Sequence, residues 1–137
     1  MAFQLRKVDY FYVTVPDVAG HAYELLTKLA ELGIDMLAFA ALPIGAETTQ
    51  LTIFPSDTAK LQREGERAGL RLDGPHPAIL AQGDDELGAL CRVHAKLHEA
   101  AVHVYASNGV ADGRGGYGYV IHVRPEDCGR AAAALGI

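Results

Sequence analysis

The sequence predicts an α+β protein built from two β-α-β-β-α-β units, each with two helices packed on one face of an antiparallel sheet. The first observation is an internal repeat: residues 14–34 recur as residues 82–102, so that Asp17 falls on Asp85 and Gly20 on Gly88 at an offset of 68. The second is that alternating runs of Val, Tyr and Phe are interleaved with helical spacings of Leu and Ala. A repeat near half of the chain length indicates two copies of one small unit.

The elements of the first unit follow from periodicity and from turn residues. Residues 7–15 alternate, are rich in β-formers and end at Pro16, which predicts a strand. Asp17 is the expected N-cap of a helix whose apolar residues recur at helical spacing up to Gly33, and Asp57 is the expected N-cap of a second helix. The remaining predicted elements are strands at residues 34–42, 47–54 and 70–72 and the second helix at residues 58–67.

The boundary between the units is expected at the densest cluster of turn-forming residues, 73–77, which gives unit 1 as residues 1–73 and unit 2 as residues 74–137. The predicted elements of unit 2 are strands at residues 78–82, 102–107 and 117–124, a loop at residues 108–116, and helices at residues 85–99 and 126–135. Little of the chain follows the last helix. The fourth strand of this unit is therefore expected to be truncated or exchanged for another segment, such as residues 2–6.

Apolar side chains are also expected on the sheet face away from the helices, where another unit or chain would have to bury them. In a ferredoxin-like unit both helices lie on one face, yet the second strand is apolar on both, with Ile34, Met36 and Ala38 alternating with Leu37 and Phe39. Such a strand would leave a hydrophobic patch in contact with water. We therefore expect packing between units or between chains, and at least a homodimer.

Composition and charge exclude several classes of protein. No apolar run approaches the roughly 20 residues that span a bilayer, and residues 1–6 do not resemble a secretory signal. The net charge of -5, with the 12 basic residues scattered along the chain, disfavours a nucleic-acid surface. Cys91 and Cys128 lack a disulfide-framework or zinc-binding spacing. We therefore expect a soluble cytoplasmic protein with no nucleic-acid partner and no membrane partner.

Residues that could support metal binding or catalysis are few. His94 and His98 share one helical face at i and i+4 and are the pair that a divalent metal would use. His103 and His122 are expected on the sheet face away from this helix, which argues against a single metal site that includes all four histidines. The chain contains no GxSxG or HExxH motif and no Cys-His pair at a family spacing. The sequence thus predicts no enzyme, no metal and no cofactor, with a metal-binding regulatory protein using His94 and His98 as an alternative.

The start of unit 1 resembles an ACT domain. The residues that carry the resemblance are the strand and turn at residues 13–20 (Val-Thr-Val-Pro-Asp-Val-Ala-Gly), the helix at residues 25–32, and then Gly33-Ile34-Asp35-Met36. Unit 2 shows a weaker form of the pattern, with Gly83-Asp84 in place of the proline and Ala101-Val102 in place of Gly-Ile. The resemblance covers essentially the whole chain, and it implies regulatory binding of small molecules, usually amino acids, at interfaces between ACT units.

The resemblance also implies which residues bind the ligand. The family site comprises the turn between the first strand and the first helix, together with the start of the second strand of a neighbouring unit. Carried onto this sequence, the ligand-binding residues are Asp17, Val18, Ala19, Gly20 and Asp35 in unit 1, and Asp85, Leu87, Gly88 and His103 in unit 2. Asp35 and His103 stand where the family has asparagine, and either can hydrogen-bond a ligand amine or carboxylate.

The physical chemistry of the turn agrees with this implication. A helix N-terminus offers unpaired N–H groups and partial positive charge to a carboxylate, while acidic side chains suit an ammonium group. The alternative is that Asp17 and Asp85 are only N-caps, and that Gly20 and Gly88 only permit close packing. Because residues 84–86 crowd the second turn with carboxylates that would occupy its N–H groups, the first turn is expected to be the better site.

Two classes of function remain open. In the first, the protein is a free-standing, non-catalytic sensor that binds an amino acid or a similar metabolite and signals to an enzyme or regulator partner. In the second, it is a ligand-free protein–protein interaction module that docks through an exposed sheet edge or face. A ligand that binds only the folded state raises its stability, so a thermal-shift screen with amino acids distinguishes the two.

Overall fold

The computed structural model of the protein describes residues 4–137 and shows an α+β chain, as the sequence predicts at this level. The strands are β1 (Gln4–Pro16), β2 (Met36–Pro43), β3 (Thr48–Pro55), β4 (Asp73–Asp84), β5 (Val104–Ala111) and β6 (Gly116–Val123). The helices are α1 (His21–Glu31), α2 (Thr58–Arg67), α3 (Ala89–Glu99) and α4 (Cys128–Leu135), and a 3-10 turn at Pro125–Asp127 precedes α4. Within residues 4–137, no helix has the length and apolar character needed to cross a membrane.

The chain divides into two compact units, one of residues 9–76 and the other of residues 77–137 together with residues 4–8. The long strands β1 and β4 each cross a boundary, so each contributes to both units. The sequence placed the boundary between residues 73 and 74, whereas the contacts place it after His76. Of the segment expected to replace the fourth strand of unit 2, residues 4–6 belong to the second unit, and residues 2 and 3 lie outside the described residues.

The unit of residues 9–76 packs its two helices on one face of its sheet. Its strands lie antiparallel in the order β2, β3, β1, and the start of β4 lies beside β1. The core between helices and sheet is formed by Phe11, Leu29, Ile34, Ile53 and Leu61. Burial of each such side chain contributes about 1.5–3 kcal/mol, so this helix-on-sheet layer is the main source of stability of the unit.

The unit of residues 77–137 is built in the same way. Its strands lie in the order β5, β6, β4, with the start of β1 beside β4. Helices α3 and α4 supply one wall of the core, and alternate residues of β4 and β6 supply the other. The largest core residues are Ile79, Val93, Leu97, Val102, Tyr119, Ile121, Val123 and Leu135.

The repeat in the sequence is visible in the bounds of the elements. Helix α1 and strands β2 and β3 recur 68 residues later as α3, β5 and β6, and the start of α2 recurs 70 residues later as the start of α4. The hydrogen bonds that follow the first helix of each unit also recur. The N–H of Ile34 donates to Leu29 O and that of Val102 donates to Leu97 O, both at 2.9 Å. Two different sequences therefore make the same local backbone.

Strand β2 departs from the predicted alternation of its side chains. Its register shifts between Met36, which pairs with Pro55, and Ala38, which pairs with Phe54. A β-bulge adds one residue to one strand, so the side chains that follow it change face. As a result Met36 and Phe39 both pack against the core beneath the helices, although the alternation placed them on opposite faces.

The predicted turn at residues 73–77 is the start of β4, and the strand predicted at residues 70–72 is irregular. Proline fixes φ near -65°, within the extended region, and lacks only an N–H donor. Pro75 and Pro77 are therefore compatible with the first residues of a strand, where a missing donor costs least.

The predicted loop at residues 108–116 is mostly strand as well. Residues up to Ala111 belong to β5, and Gly109 pairs with Tyr119 of β6. The rings of Tyr117 and Tyr119 fill the space beside Gly109, since a Cβ there would lie 2.8 Å and 2.9 Å from them. Glycine in this segment thus admits aromatic rings onto the strand instead of marking a flexible loop.

Candidate functional site

The turn at Asp17–Gly20 lies between β1 and α1 and is exposed. The N–H of Asp17 donates to Glu47 O at 2.8 Å, which joins the turn to the β2–β3 hairpin. The N–H of Val18 donates to Pro16 O at 2.8 Å, so the chain turns sharply at the end of β1. Oδ1 of Asp17 accepts a hydrogen bond from the Thr49 hydroxyl at 3.3 Å. This carboxylate therefore faces the hairpin and not the helix.

The N-cap of α1 is Gly20, and the prediction that Asp17 caps this helix is wrong. Gly20 has φ +103°, and among residues 4–137 no side-chain cap is present at this helix. In α2, by contrast, the Asp57 side chain accepts a hydrogen bond from Lys60 N at 3.1 Å, as predicted. The N-terminal N–H groups of α1 therefore lack the side-chain acceptor that α2 has.

The turn at Asp85–Gly88 before α3 repeats this geometry. The N–H of Asp85 donates to Gly115 O at 2.8 Å, and Gly88 is the N-cap with φ +81° and no side-chain cap. The prediction that Asp85 is the N-cap of α3 is thus wrong. Glu86 pairs with Arg92 at 3.0 Å, and the Leu87 side chain is fully exposed.

The two turns differ in charge at one equivalent position. Glu24 in α1 and Arg92 in α3 are 68 residues apart, and each reaches back toward the N-cap glycine. The nearest atom to a Cβ placed on Gly20 would be Glu24 Oε1, and that to a Cβ placed on Gly88 would be Arg92 Nη1, both at 3.9 Å. No close packing against either glycine requires its small size, so the positive φ explains both. The first turn is acidic, whereas the second contains an Arg–Glu pair.

Asp35 and His103 lie at the other ends of α1 and α3. Both are exposed, and the backbone oxygen of Asp35 accepts hydrogen bonds from Ser56 N at 3.0 Å and Ser56 Oγ at 3.1 Å. A helix of this length spans about 16 Å. Within one unit, therefore, the structure does not bring Asp35 to the turn at Asp17–Gly20, nor His103 to the turn at Asp85–Gly88.

The histidines of α3 are not arranged as a metal centre. His94 Nε2 lies 2.6 Å from the Tyr119 hydroxyl, and the two rings are 5.7 Å apart, while His98 is exposed. Across the described residues, no group of three or more His, Cys, Asp and Glu side chains is placed to share a metal ion. Burial lowers the pKa of His122, which disfavours its charged form.

A cluster of polar and aromatic groups that the sequence did not predict joins β1 to the start of β4. His76 Nε2 lies 2.9 Å from Asp73 Oδ1, and the His76 ring stacks on Tyr12 with centroids 5.3 Å apart. The hydrogen bonds from Tyr12 and His76 lower the pKa of Asp73, and the hydrogen bond to Asp73 raises the pKa of Tyr12. The Tyr10 ring also packs against His76, with centroids 5.3 Å apart.

A cavity of about 400 Å³ is a second feature that the sequence did not predict. It lies between α2 and the segment that leads into β4, and its lining includes Phe11, Leu61, Gly65, Glu66, Arg71 and Gly74. The signal that could have found it is Gly65, a buried glycine inside a helix, because a missing side chain at a core position leaves space.

Comparisons with known proteins agree with the fold. No protein-family model matches the sequence, and no curated protein matches it. Protein BT0572 from Bacteroides thetaiotaomicron superposes with a TM-score of 0.75 at 16% identity, covering 98% of this chain and 90% of that chain. The ligand-free regulatory subunit of aspartate kinase from Thermus thermophilus superposes with a TM-score of 0.66 at 13% identity, covering 99% and 95%.

A third structure, the regulatory subunit of aspartate kinase from Thermus flavus, superposes with a TM-score of 0.54 at 15% identity, covering 99% of this chain and 95% of that chain. Identities this low show a shared fold and nothing finer. The two regulatory subunits have the ACT-type fold that the sequence resemblance implied. The chain therefore has the fold of the aspartate kinase regulatory subunits.

Proposed function

We propose that the protein is a non-catalytic regulatory protein that binds a small molecule, with amino acids as the first class to test, at the turn between β1 and α1. In this proposal the ligand lies at an interface between ACT-like βαββαβ units, and its binding alters contacts with an enzyme or regulator partner. The fold shared with regulatory subunits of aspartate kinase supports the proposal, as does the resemblance of residues 13–36 to the start of an ACT domain.

The observation that carries the proposal is the uncapped N-terminus of α1. Within the described part of the chain the first turn of the helix has no side-chain cap, and Gly20 leaves its backbone accessible to a ligand carboxylate. Glu24 supplies negative charge beside Gly20, and Asp17 supplies a second carboxylate on the hairpin side of the turn; both suit an ammonium group. A zwitterion needs both kinds of partner, and this turn offers both.

The turn at Asp17–Gly20 is proposed as the preferred site, with Asp35 contributed by a neighbouring unit. The equivalent residues Asp85, Leu87, Gly88 and His103 form the second, weaker site. The second site is expected to be weaker because Arg92 beside Gly88 is already paired with Glu86. A ligand carboxylate at the second turn has to compete with Glu86 for this guanidinium group.

Exposed apolar side chains support the proposal that this end of the unit meets another copy of the chain. Val18 in the turn is 63% exposed, and Leu42 and Ile44 in the adjoining hairpin are 52% and 48% exposed. An apolar group of this kind next to a binding turn is typical of an interaction surface. We propose a homodimer or larger assembly. Light scattering across a range of protein concentrations should show a mass above that of a single chain, and a concentration-independent monomer would contradict the assembly.

A thermal-shift screen with the proteinogenic amino acids tests the function itself. At 100 times its Kd, a ligand that binds only the folded state adds about 2.7 kcal/mol, which raises the melting temperature by several degrees in a protein of this size. A saturable shift with one amino acid or a few related ones is the expected result. If none of them shifts the midpoint, an amino-acid sensor is ruled out.

Matched substitutions locate the ligand. Asp17→Asn and Asp35→Asn should each weaken the binding found in the screen, because each removes a charge from the preferred site. Asp85→Asn and His103→Asn are the equivalent controls and should weaken it less. Gly20→Leu is a stronger test but also strains the backbone, since φ is +103° there, and Gly88→Leu at φ +81° carries a similar strain. Equal losses from both members of each pair would indicate two symmetric sites.

The second candidate function is a ligand-free interaction module. The observation that favours it is the exposed group of Val18, Leu42 and Ile44, which needs no ligand to bind another protein. A Leu42→Ser variant should then lose self-association or partner binding, while no amino acid changes the melting temperature. A ligand-dependent shift that survives Leu42→Ser would instead favour the sensor.

A further inference from the structure

The cavity between α2 and residues 69–74 is partly open to solvent and is large enough to hold a small molecule. Its volume of about 400 Å³ falls within the roughly 300–1,000 Å³ typical of ligand pockets. Phe11 and Leu61, both nearly fully buried, form an apolar base, and Leu70 and Leu72 extend it. Every lining residue belongs to the unit of residues 9–76, so the cavity needs no second unit to complete it.

The cavity depends on a difference between the two copies of the repeat. Gly65 of α2 corresponds to Leu135 of α4 at the offset of 70 that relates these helices. Leu135 packs into the core of its unit and is only 7% exposed, whereas Gly65 is buried with no side chain to fill the same place. The nearest atom to a Cβ on Gly65 would be Leu70 Cβ at 3.9 Å, so a Cβ would fit beside it at an ordinary contact distance.

Two charged groups that line the cavity have no side-chain partner among residues 4–137. Most charges of α2 are engaged: Lys60 Nζ donates to Gly33 O at 2.8 Å, and Glu64 pairs with Arg63 at 3.6 Å and with Arg67 at 3.5 Å. By contrast, the side chains of Glu66 and Arg71 make no ion pair or hydrogen bond within the part of the chain that the structure describes.

The neutral amide of Gln62 also lines the cavity, one helical turn before Glu66. The lining thus combines one carboxylate, one guanidinium group, one amide and an apolar base. A guanidinium group binds a carboxylate through two parallel hydrogen bonds, and a carboxylate binds an ammonium group with similar charge assistance.

We propose that this cavity is a second binding site, separate from the turn between β1 and α1, for a zwitterion of the apolar α-amino acid class. The ligand carboxylate binds Arg71, its ammonium group binds Glu66, and its apolar side chain lies on Phe11 and Leu61. This assignment rests on the cavity alone. It can therefore be correct or wrong independently of the function proposed for the turn.

An NMR titration of the full chain with L-alanine, L-valine, L-leucine, L-methionine and L-phenylalanine tests the site. Saturable shifts of the amides of Gly65, Gly69 and Gly74 are expected with at least one of these probes at up to about 10 mM, which covers dissociation constants in the millimolar range. Shifts confined to Gly20 or Gly88 would support the turn site and overturn the cavity site. No saturable shift at the three cavity glycines with any probe overturns the proposal.

Charge variants show whether the recognition is the one proposed. Arg71→Gln and Glu66→Gln should each weaken binding of the best probe by roughly tenfold or more, the usual effect of losing a charge-assisted hydrogen bond. Arg67→Gln is the control for loss of a positive charge, because Arg67 is already paired with Glu64 and does not line the cavity. Equal effects from Arg67→Gln and Arg71→Gln would mean a general charge effect and would overturn the proposal.

Ligand analogues separate the two contacts, with L-leucine as the reference. The compound 4-methylpentanoate lacks the ammonium group, so its binding should depend on Arg71 and not on Glu66. The compound 3-methylbutylamine lacks the carboxylate, so its binding should depend on Glu66 and not on Arg71. Binding of both analogues that neither substitution changes would show a purely apolar pocket and refute zwitterion recognition.

Discussion

Gly33 and Ala101 occupy equivalent positions after the first helix of each unit, and both have left-handed φ, +72° and +57°. Each closes its helix through the same contact: Gly33 N donates to Ala30 O at 3.0 Å and Ala101 N donates to His98 O at 2.9 Å. Glycine adopts this conformation freely, whereas the Cβ of alanine approaches the following carbonyl oxygen. The second unit therefore retains a backbone strain that the first does not have.

Replacing Ala101 by glycine should stabilise the protein. Relief of the left-handed strain outweighs the greater flexibility that glycine gives the unfolded chain, for a gain of roughly 0.5–1 kcal/mol. Gly33→Ala should lower the free energy of unfolding by a similar amount. Equilibrium unfolding in urea, followed by circular dichroism, measures both changes, and a destabilised Ala101→Gly variant would contradict this account.

Gly65→Ala should also stabilise the protein, because alanine favours a helix interior over glycine by about 1 kcal/mol. The added Cβ would lie at an ordinary contact distance of 3.9 Å from Leu70. Gly69→Ala is the control: Gly69 has φ +77° and no atom within 4 Å of an added Cβ, so strain alone should destabilise it. The two variants should move the urea midpoint in opposite directions. A loss of stability in Gly65→Ala would mean that the cavity is narrower than described.

Gly74→Ala should destabilise the protein more than the other glycine substitutions. A Cβ there would lie 2.7 Å from Cδ2 of Phe11 and 2.8 Å from the backbone oxygen of Tyr10, and φ is +153°. Overpacking a rigid backbone and a core ring, in addition to the strain, should lower the free energy of unfolding by about 2–4 kcal/mol. Gly113→Ala, at φ +77° with no atom within 4 Å, tests strain without overpacking. Similar losses in the two variants would refute the clash.

The stability of the protein should depend on the ionisation of Asp73. Hydrogen bonds from Tyr12 and His76 hold the pKa of Asp73 below its ordinary value of 3.8. A lowered pKa in the folded state stabilises the fold above the unfolded value, and this contribution is lost as the pH falls through the lowered pKa. Because Asp73 is exposed, solvent screening makes the contribution small.

Comparison of the wild type with Asp73→Asn over a pH series isolates this contribution. The difference in urea midpoint should be constant at pH values above about 5 and should shrink on acidification below about pH 4. A difference that is the same at both ends of the series would show that the substitution acts through shape and not through charge.

Much of the fold could be predicted because residues close in sequence determine where many of the helices and strands begin and end. Helix α2 begins after Asp57, which caps it, and its bounds at residues 58–67 are those that the sequence predicts. The caps of α1 and α3 could not be predicted in the same way. Asp17 and Asp85 have the preferred composition of an N-cap, but their N–H groups are held by the hairpin residues Glu47 and Gly115, far away in sequence. Tertiary hydrogen bonds thus move the start of each helix to a glycine.

The candidate sites were predictable in part. The turns at Asp17–Gly20 and Asp85–Gly88 could be located from the repeat, since glycine after a short polar segment before a helical pattern is a local signal. The cavity could not be, because it depends on which face of α2 meets the sheet. In the sequence, the cavity is indicated only by the difference between Gly65 and its equivalent Leu135. This difference can be recognised only after α2 and α4 have been aligned.

The hydrogen bond from Asp17 N to Glu47 O couples the β1–α1 turn to the β2–β3 hairpin. A molecule that displaces this turn has to pull the hairpin with it or break the bond. Leu42 and Ile44 lie at the end of this hairpin, and their side chains are exposed to solvent. Under the proposed function, ligand binding at the turn is therefore expected to shift the exposed apolar side chains of Leu42 and Ile44, and contact with another protein would change through them.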